Sequence, residues 1–358
     1  MHFILTILAF VFLLGLIVLV HEFGHFIVAK KCGVYAHEFA IGMGPTLFKK
    51  KGKKETTYSI HLLPIGGFVS MAGEDVNVKA EADKEVPADR LFCNKKYWQK
   101  LLILLAGVFM NFMLALLIYT ALILSVGKYA TPIPTTITEL MTDYPAEEAG
   151  MQVGDQITSV IVNGKEFTVN DFSDLQIAHA AITSTQTVVY NVRRGDESLV
   201  FEVKPIYDEE THRYMLGIYG SSSDIADVKW YTAPYYGIKY AKDQFLTMLK
   251  SLRILFMPGG IKQLSGPVGV ASITSDVVSQ GFLPYLSLIA LLSMNVGLVN
   301  LLPLPVLDGG QAVLETLQAI FRHKFSKKFK AITMTVSWSL LVLLMLYVTL
   351  NDVLKFFA

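Results

Sequence analysis

Four stretches of the 358-residue chain are long and apolar enough to cross a bilayer. They constrain the fold more than any other feature, because in lipid the backbone must satisfy its own hydrogen bonds and only helices or closed barrels do so. Residues 3–28, 100–126, 283–302 and 332–350 each supply roughly 20 apolar residues, which predicts four transmembrane helices. The chain is 53% hydrophobic and 17% charged, a mix unlike that of soluble domains. The first run lacks a basic leader and a small-residue cleavage site, so it is expected to remain in the mature protein.

Orientation follows from the loops. Lys49, Lys50, Lys51, Lys53, Lys54, Lys95 and Lys96 lie between the first two runs, and Arg322, Lys324, Lys327, Lys328 and Lys330 between the last two. Excess lysine and arginine marks cytoplasmic loops, so both segments are expected inside and residues 128–282 outside. A net charge of +1, with no basic patch interleaved with aromatics, gives no reason to expect nucleic acid as a partner. Cys32 and Cys93 form no CxxC pair and read as reduced bystanders.

The first run carries residues for which lipid has no use: His21-Glu22-Phe23-Gly24-His25. In a helix His21 and His25 share a face and suit two imidazoles on one Zn²⁺, with Glu22 beside them as general base. His21 lies about 18 residues into the run, roughly 27 Å from its outer end at 1.5 Å per residue, and so near the cytoplasmic edge. Two histidines leave a tetrahedral site open, and a third ligand must come from elsewhere. Past the third run, Asn300-Leu301-Leu302-Pro303-Leu304-Pro305-Val306-Leu307-Asp308-Gly309-Gly310 is a broken helix ending in a turn. Counting inward from Leu283 brings Asp308 to the same depth as the histidines, making it the best third ligand, with one position left for water. His37, His61 and His323 fall in wet segments, Glu315 lies in the helix that follows, and Asp352 is expected outside.

Residues 31–98 read as a cytoplasmic β-rich segment. Within it, residues 62–71 are too short to span and too apolar for an exposed loop, so a re-entrant hairpin beside the site is expected, with an ordinary surface hairpin as the alternative. Residues 74–90 read as a solvated, mobile loop. Asn111, in the second run, is expected to hydrogen-bond to other helices as packing glue. Residues 128–206 turn soluble in composition, with strand patterns, an Asn163-Gly164 turn and a helical stretch near 171–181. Tyr144-Pro145-Ala146-Glu147-Glu148-Ala149-Gly150-Met151-Gln152-Val153-Gly154-Asp155 resembles a PDZ signature, which implies a groove for an extended chain or a C-terminus. In the linker region 207–282, Phe245, Met248, Leu249, Leu252, Leu255 and Phe256 recur at helical spacing among lysines, which predicts an amphipathic helix on the outer membrane surface or packed on a neighbouring element.

Taken together, HExxH in the first run, NxxPxPxLDGG in the third, Gly66-Gly67-Phe68-Val69, the single PDZ-like insertion and Ser265-Gly266-Pro267-Val268-Gly269 resemble the site-2 protease family of intramembrane zinc metalloproteases. The closest pattern is the bacterial RseP-type branch in its single-PDZ form, similar to that of Gram-positive bacteria. Gln311 departs from the His that many relatives carry after Asp-Gly-Gly. The resemblance implies His21, His25 and Asp308 as zinc ligands, Glu22 as catalytic acid/base, and Asn300 as a substrate-positioning residue. Gly67, Phe68 and Val69 would stabilise an unwound substrate by strand pairing. It further implies the bacterial cytoplasmic membrane as location and truncated single-span proteins, such as anti-sigma factors, or signal-peptide remnants as substrates. An ion transporter using the buried His/Glu/Asp cluster, or a non-catalytic PDZ scaffold, are the rival readings.

Overall fold

A computed structural model describes residues 2–53, 55–74, 82–130, 135–182, 184–208, 213–220, 225–252, 264–323 and 325–357. Among the described residues, four helices are long and apolar enough to cross a membrane, over Ile4–Lys31, Tyr97–Val126, Phe282–Asn300 and Lys328–Leu354. The chain divides into two compact units, Met1–Leu122 with Ser265–Ala358, and Ile123–Leu264.

In the first unit, α1 (His2–Lys31) is followed by strands β1 (Ala36–Lys51) and β2 (Thr57–Met71), then α2 (Tyr97–Val126). The α1 helix stops where Gly33, at φ 72°, lets the chain turn back. Gly33 N–H then donates to Lys30 O and Val34 N–H to Ala29 O, a pairing that satisfies the last carbonyls. This ending leaves His21 and His25 in the final turns of the helix, next to the sheet that follows. The two strands bend so that Phe39, Ala40 and Ile41 of β1 have β2 partners on both sides: Val69 and Tyr58, Phe68 and Ser59, Gly67 and Ile60. Residues 67–71 therefore form one edge of the sheet and residues 46–51 the other. Phe39, Val69 and Met71 pack with Ala29 and Val34, with Ile103 and Leu104 of α2, and with Ala312, joining helix ends to sheet in one core.

The stretch expected to be a solvated, mobile loop is in part held down. Arg90 pairs with Glu55, which also takes Lys30. Asp83 accepts from Gly73 N–H and lies 2.8 Å from His37 Nε2. Residues 75–81 of that stretch fall outside the described residues.

The second unit follows α2 with β3 (Lys128–Ala130), β4 (Ile137–Leu140), α3 (Pro145–Glu148), β5 (Gln156–Val162), β6 (Lys165–Thr168), α4 (Phe172–Ala180), β7 (Val188–Arg194), β8 (Glu197–Val203), β9 (Ile206–Asp208), β10 (Arg213–Met215), β11 (Ile218–Gly220), β12 (Ile225–Asp227) and α5 (Ala233–Ser251). A four-stranded antiparallel sheet in the order β6-β5-β7-β8 is its centre. Alternate residues of β7 face inward, and a register shift in β5 between Ile157 and Ser159 turns both Ile157 and Val160 inward, so Ile157, Val160, Val188, Tyr190 and Val192 are fully buried. Each such aliphatic side chain stabilises by about 1.5–3 kcal/mol. Buried Asp155 is held by Arg194 at 2.6 Å. The boundary expected at residue 206 lies inside this unit, because β11 pairs with β4 and β12 with β3. Of the predicted amphipathic helix, α5 is described and residues 253–263 are not.

The chain returns to the first unit through α6 (Pro267–Gln280), α7 (Phe282–Asn300), α8 (Asp308–Phe321) and α9 (Lys327–Phe357). Val277 and Val278 of α6 pack with Leu13, Ile17 and Tyr285, and Thr6 Oγ1 donates to Ser275 Oγ. No helix was expected here; at 14 residues with three serines and threonines in its interior, α6 is too short and too polar to register as a span. Asp352 is buried near the end of α9 against the start of α6.

Candidate metal centre

Three helices of the first unit supply the site. His21 and His25 lie one turn apart on α1, with ring centroids 4.8 Å apart. Asp308 is the first residue of α8. The prolines at 303 and 305 end α7 and keep the intervening chain out of a helix. The glycines after Asp308 let α8 begin against that same segment, since a Cβ on Gly309 would strike the Leu301 carbonyl and one on Gly310 the Leu304 carbonyl.

The three donor atoms sit at the corners of a small triangle. His21 Nε2 is 3.0 Å and His25 Nε2 3.3 Å from Asp308 Oδ2, and the two Nε2 atoms are 3.2 Å apart. A tetrahedral zinc with bonds near 2.0–2.1 Å has edges of about 3.3 Å, so the triangle is one face of such a site. Asp308 Oδ2 is buried and forms no directed hydrogen bond, although both imidazoles approach it closely. A shared cation accounts for such closeness, and two imidazoles with one carboxylate are a common zinc donor set. The residues present therefore fit zinc, with a fourth position left for water or substrate.

Two contacts set the imidazoles. His25 Nδ1 lies 2.7 Å from the carbonyl of Ile103 on α2, to which it donates, leaving Nε2 free as ligand. His21 Nδ1 lies 3.2 Å from Asn111 Nδ2, also on α2. Both depend on close approach of α1 and α2. A Cβ on Gly24 would meet the Ala106 carbonyl oxygen at 2.5 Å, and a Cβ on Gly107 would overlap His25 Nε2 and crowd His21. Asn111 was expected to be packing glue, and its contact with His21 was missed. The usable signal was the Gly107-x-x-x-Asn111 spacing, which repeats the four-residue step of the histidines and puts both residues on one face of α2.

Glu22 is partly buried one residue beyond His21. A backbone hydrogen bond from Val69 reaches its carboxylate, and Gly67 is close enough that a Cβ there would stand 3.5 Å from Glu22 Cγ. The sheet edge carrying Gly67, Phe68 and Val69 thus adjoins the acid/base candidate. Phe68 is exposed and Val69 buried. Asn300 closes α7, partly buried, at the start of the segment that leads to Asp308. His61 is engaged elsewhere, with Gly44 O and Ser59 Oγ, and Glu315 pairs with Lys100 and Lys330.

The profile of peptidase family M50 matches residues 9–344. The chain is 30% identical to a protein of Staphylococcus aureus (strain N315), with all of both chains covered. It is 33% identical to one of Clostridium acetobutylicum, covering 98% of this chain and 96% of the relative. A third relative, from Clostridium perfringens, is 34% identical, with 99% of this chain and 98% of the relative covered. All three are named as zinc metalloproteases. The chain belongs to peptidase family M50, the site-2 protease family, and is a membrane zinc metalloprotease.

Proposed function

We propose that this zinc metalloprotease hydrolyses peptide bonds within or near the membrane-spanning segments of single-span proteins. One observation carries the reading. His21, Glu22 and His25 lie inside a helix apolar enough to cross a bilayer, and the two imidazoles are 8% exposed. Ionisable groups in such a helix are costly and are retained for function.

His21, His25 and Asp308 would hold the zinc, whose Lewis acidity makes a water nucleophilic near neutral pH and polarises a peptide carbonyl. Glu22 takes the proton of the attacking water and returns it to the departing amine. The carbonyl of Ile103 keeps the His25 ring turned so that Nε2 remains the ligand. A substrate helix has its backbone groups paired internally and must open before attack. The edge residues Gly67, Phe68 and Val69 offer an opened segment replacement backbone partners, and Asn300 hydrogen-bonds it from the other side of the chain break.

The lysine-rich loops support a site toward the cytoplasmic face of the bacterial cytoplasmic membrane, with residues 128–282 outside. Within that segment, residues 128–206 act as a PDZ domain, which binds an extended chain or C-terminus and filters substrates by size. Truncated anti-sigma factors and signal-peptide remnants are the substrate classes this arrangement suits. The α5 helix lies on the lipid surface. Trp230, Tyr231, Tyr235 and Ile238 are exposed, while Ala233, Tyr236 and Tyr240 pack on Tyr129 of β3, which starts two residues after α2 ends. Exposed aromatics of this kind favour the headgroup region.

The test is reconstitution in sealed vesicles with a single-span substrate, followed by mass spectrometry of the products and an ion-flux assay. The expected result is a cut inside the span, lost with a chelator and restored by zinc, without flux. Flux without cleavage, or cuts confined to the substrate's soluble portion, would contradict the reading.

A further inference from the structure

Asn111 is fully buried, and its amide is used on one side only. Nδ2 lies 3.2 Å from His21 Nδ1, whereas Oδ1 is buried without a hydrogen-bond partner. The two histidines are thus held differently. His25 donates Nδ1–H to a backbone carbonyl, which can only accept, so its Nε2 is committed to the metal. His21 faces an amide, which accepts through one end and donates through the other.

A neutral imidazole that gives its Nε2 lone pair to zinc carries its proton on Nδ1, and that proton needs an acceptor. Of the two ends of the Asn111 amide, only Oδ1 can serve. We propose that Asn111 is the positioning residue of the zinc centre, turning its amide about the Cβ–Cγ bond so that Oδ1 accepts Nδ1–H of His21. The turn exchanges Oδ1 and Nδ2, and Oδ1, which has no hydrogen-bond partner where it now lies, gains one. Asn111 thereby performs for His21 what the Ile103 carbonyl performs for His25. The amide can also pair with His21 in the other tautomer, so the site stays hydrogen-bonded whether or not metal occupies it. The inference rests on the zinc reading of His21, His25 and Asp308.

The test compares the zinc affinity of the full-length protein in detergent, by competition with a chromophoric chelator, for wild type, Asn111→Leu and Asn111→Asp. Leu preserves volume and apolar packing but removes the acceptor; Asp supplies an acceptor at either end. Positioning predicts a loss of about 10–100-fold in zinc affinity for Leu and a much smaller loss, or none, for Asp. Packing glue alone predicts the reverse order, with Leu tolerated and a buried carboxylate damaging. Zinc binding by the Leu variant within threefold of wild type, or weaker binding by Asp than by Leu, would overturn the inference. Should the Asp variant not fold, the Leu result decides alone. Failure of the wild-type protein to bind one zinc would instead count against the metal centre itself.

Discussion

Asp352 Oδ2 accepts the backbone N–H of Gly266 at 2.7 Å, and with it that of Gly269 at 2.9 Å, so the far end of α9 caps the start of α6. Both glycines ease this approach, since a Cβ on either would stand 3.0 Å from the same carboxylate oxygen and crowd it. Pro267, between them, has no N–H to leave unpaired at the first turn. Removing the cap strands one buried donor and one half-buried donor at a helix N-terminus, the buried one costing about 1–3 kcal/mol when left unsatisfied. Asp352→Ala is expected to lower the unfolding midpoint in detergent clearly, with Asp352→Asn intermediate because its Oδ1 still accepts. Equal midpoints for wild type and the Ala variant would show that the cap contributes nothing.

The crossing of α1 and α2 makes Gly107 critical in a different way. Gly107→Ala puts a methyl group where His25 Nε2 and the His21 ring now lie. The fold can absorb this overpacking at a cost of about 1–3 kcal/mol, but the ligand triangle cannot stay closed. The expected outcome is a protein that purifies and retains its helical circular dichroism yet binds less than one zinc per chain. Full zinc occupancy in that variant would mean that the helices separate without moving the histidines.

Glu55 gives the structure a pH-dependent brace between the sheet, Lys30 and Arg90. Its carboxylate is pushed down to about 2, chiefly by hydrogen bonds from Arg90 and further by Lys30. The folded value is below that of an unfolded glutamate, about 4.3, so the stabilisation is present above that pH and is lost as pH falls toward about 2. Because Arg90 and Lys30 are both about a third exposed, the gain is about 1 kcal/mol. Thermal unfolding from pH 6 to 3 should show wild type above Glu55→Gln at pH 6 and the gap closing on the acid side. A gap that does not change with pH would rule this out.

The lipid contact proposed for α5 can be tested at Trp230, in the turn three residues before the helix starts. With Trp98 and Trp338 replaced by Phe, the fluorescence of Trp230 in reconstituted protein should be quenched by lipids brominated near the headgroup end of the acyl chain. Quenching should fade with bromines placed deeper. An unquenched, water-like emission would place this face in solvent.

How legible all this was in the sequence depended on whether the signal was local. The four spans were readable because each is a long apolar run, and the described helices fall within a few residues of the expected ranges. His21, His25 and Asp308 were readable because a count of rise per residue gives depth, and depth brought distant residues together. Features set by contacts between elements were not readable. Asn111 looks like any buried amide until α2 is laid against α1. Gly266 and Gly269 look like helix breakers until Asp352 is found beside them. The extent of the second unit was hidden for the same reason, since short strands such as β11 and β12 declare themselves only through their partners β4 and β3.

Glu22 touches no proposed zinc bond and is the residue proposed to carry every proton. Zinc content and cleavage of a single-span substrate should be measured on the same purified Glu22→Gln sample. The prediction is one zinc per chain, as in wild type, with cleavage reduced by at least about 10²-fold, the scale of a lost general acid/base. Cleavage at the wild-type rate with zinc retained would contradict the mechanism.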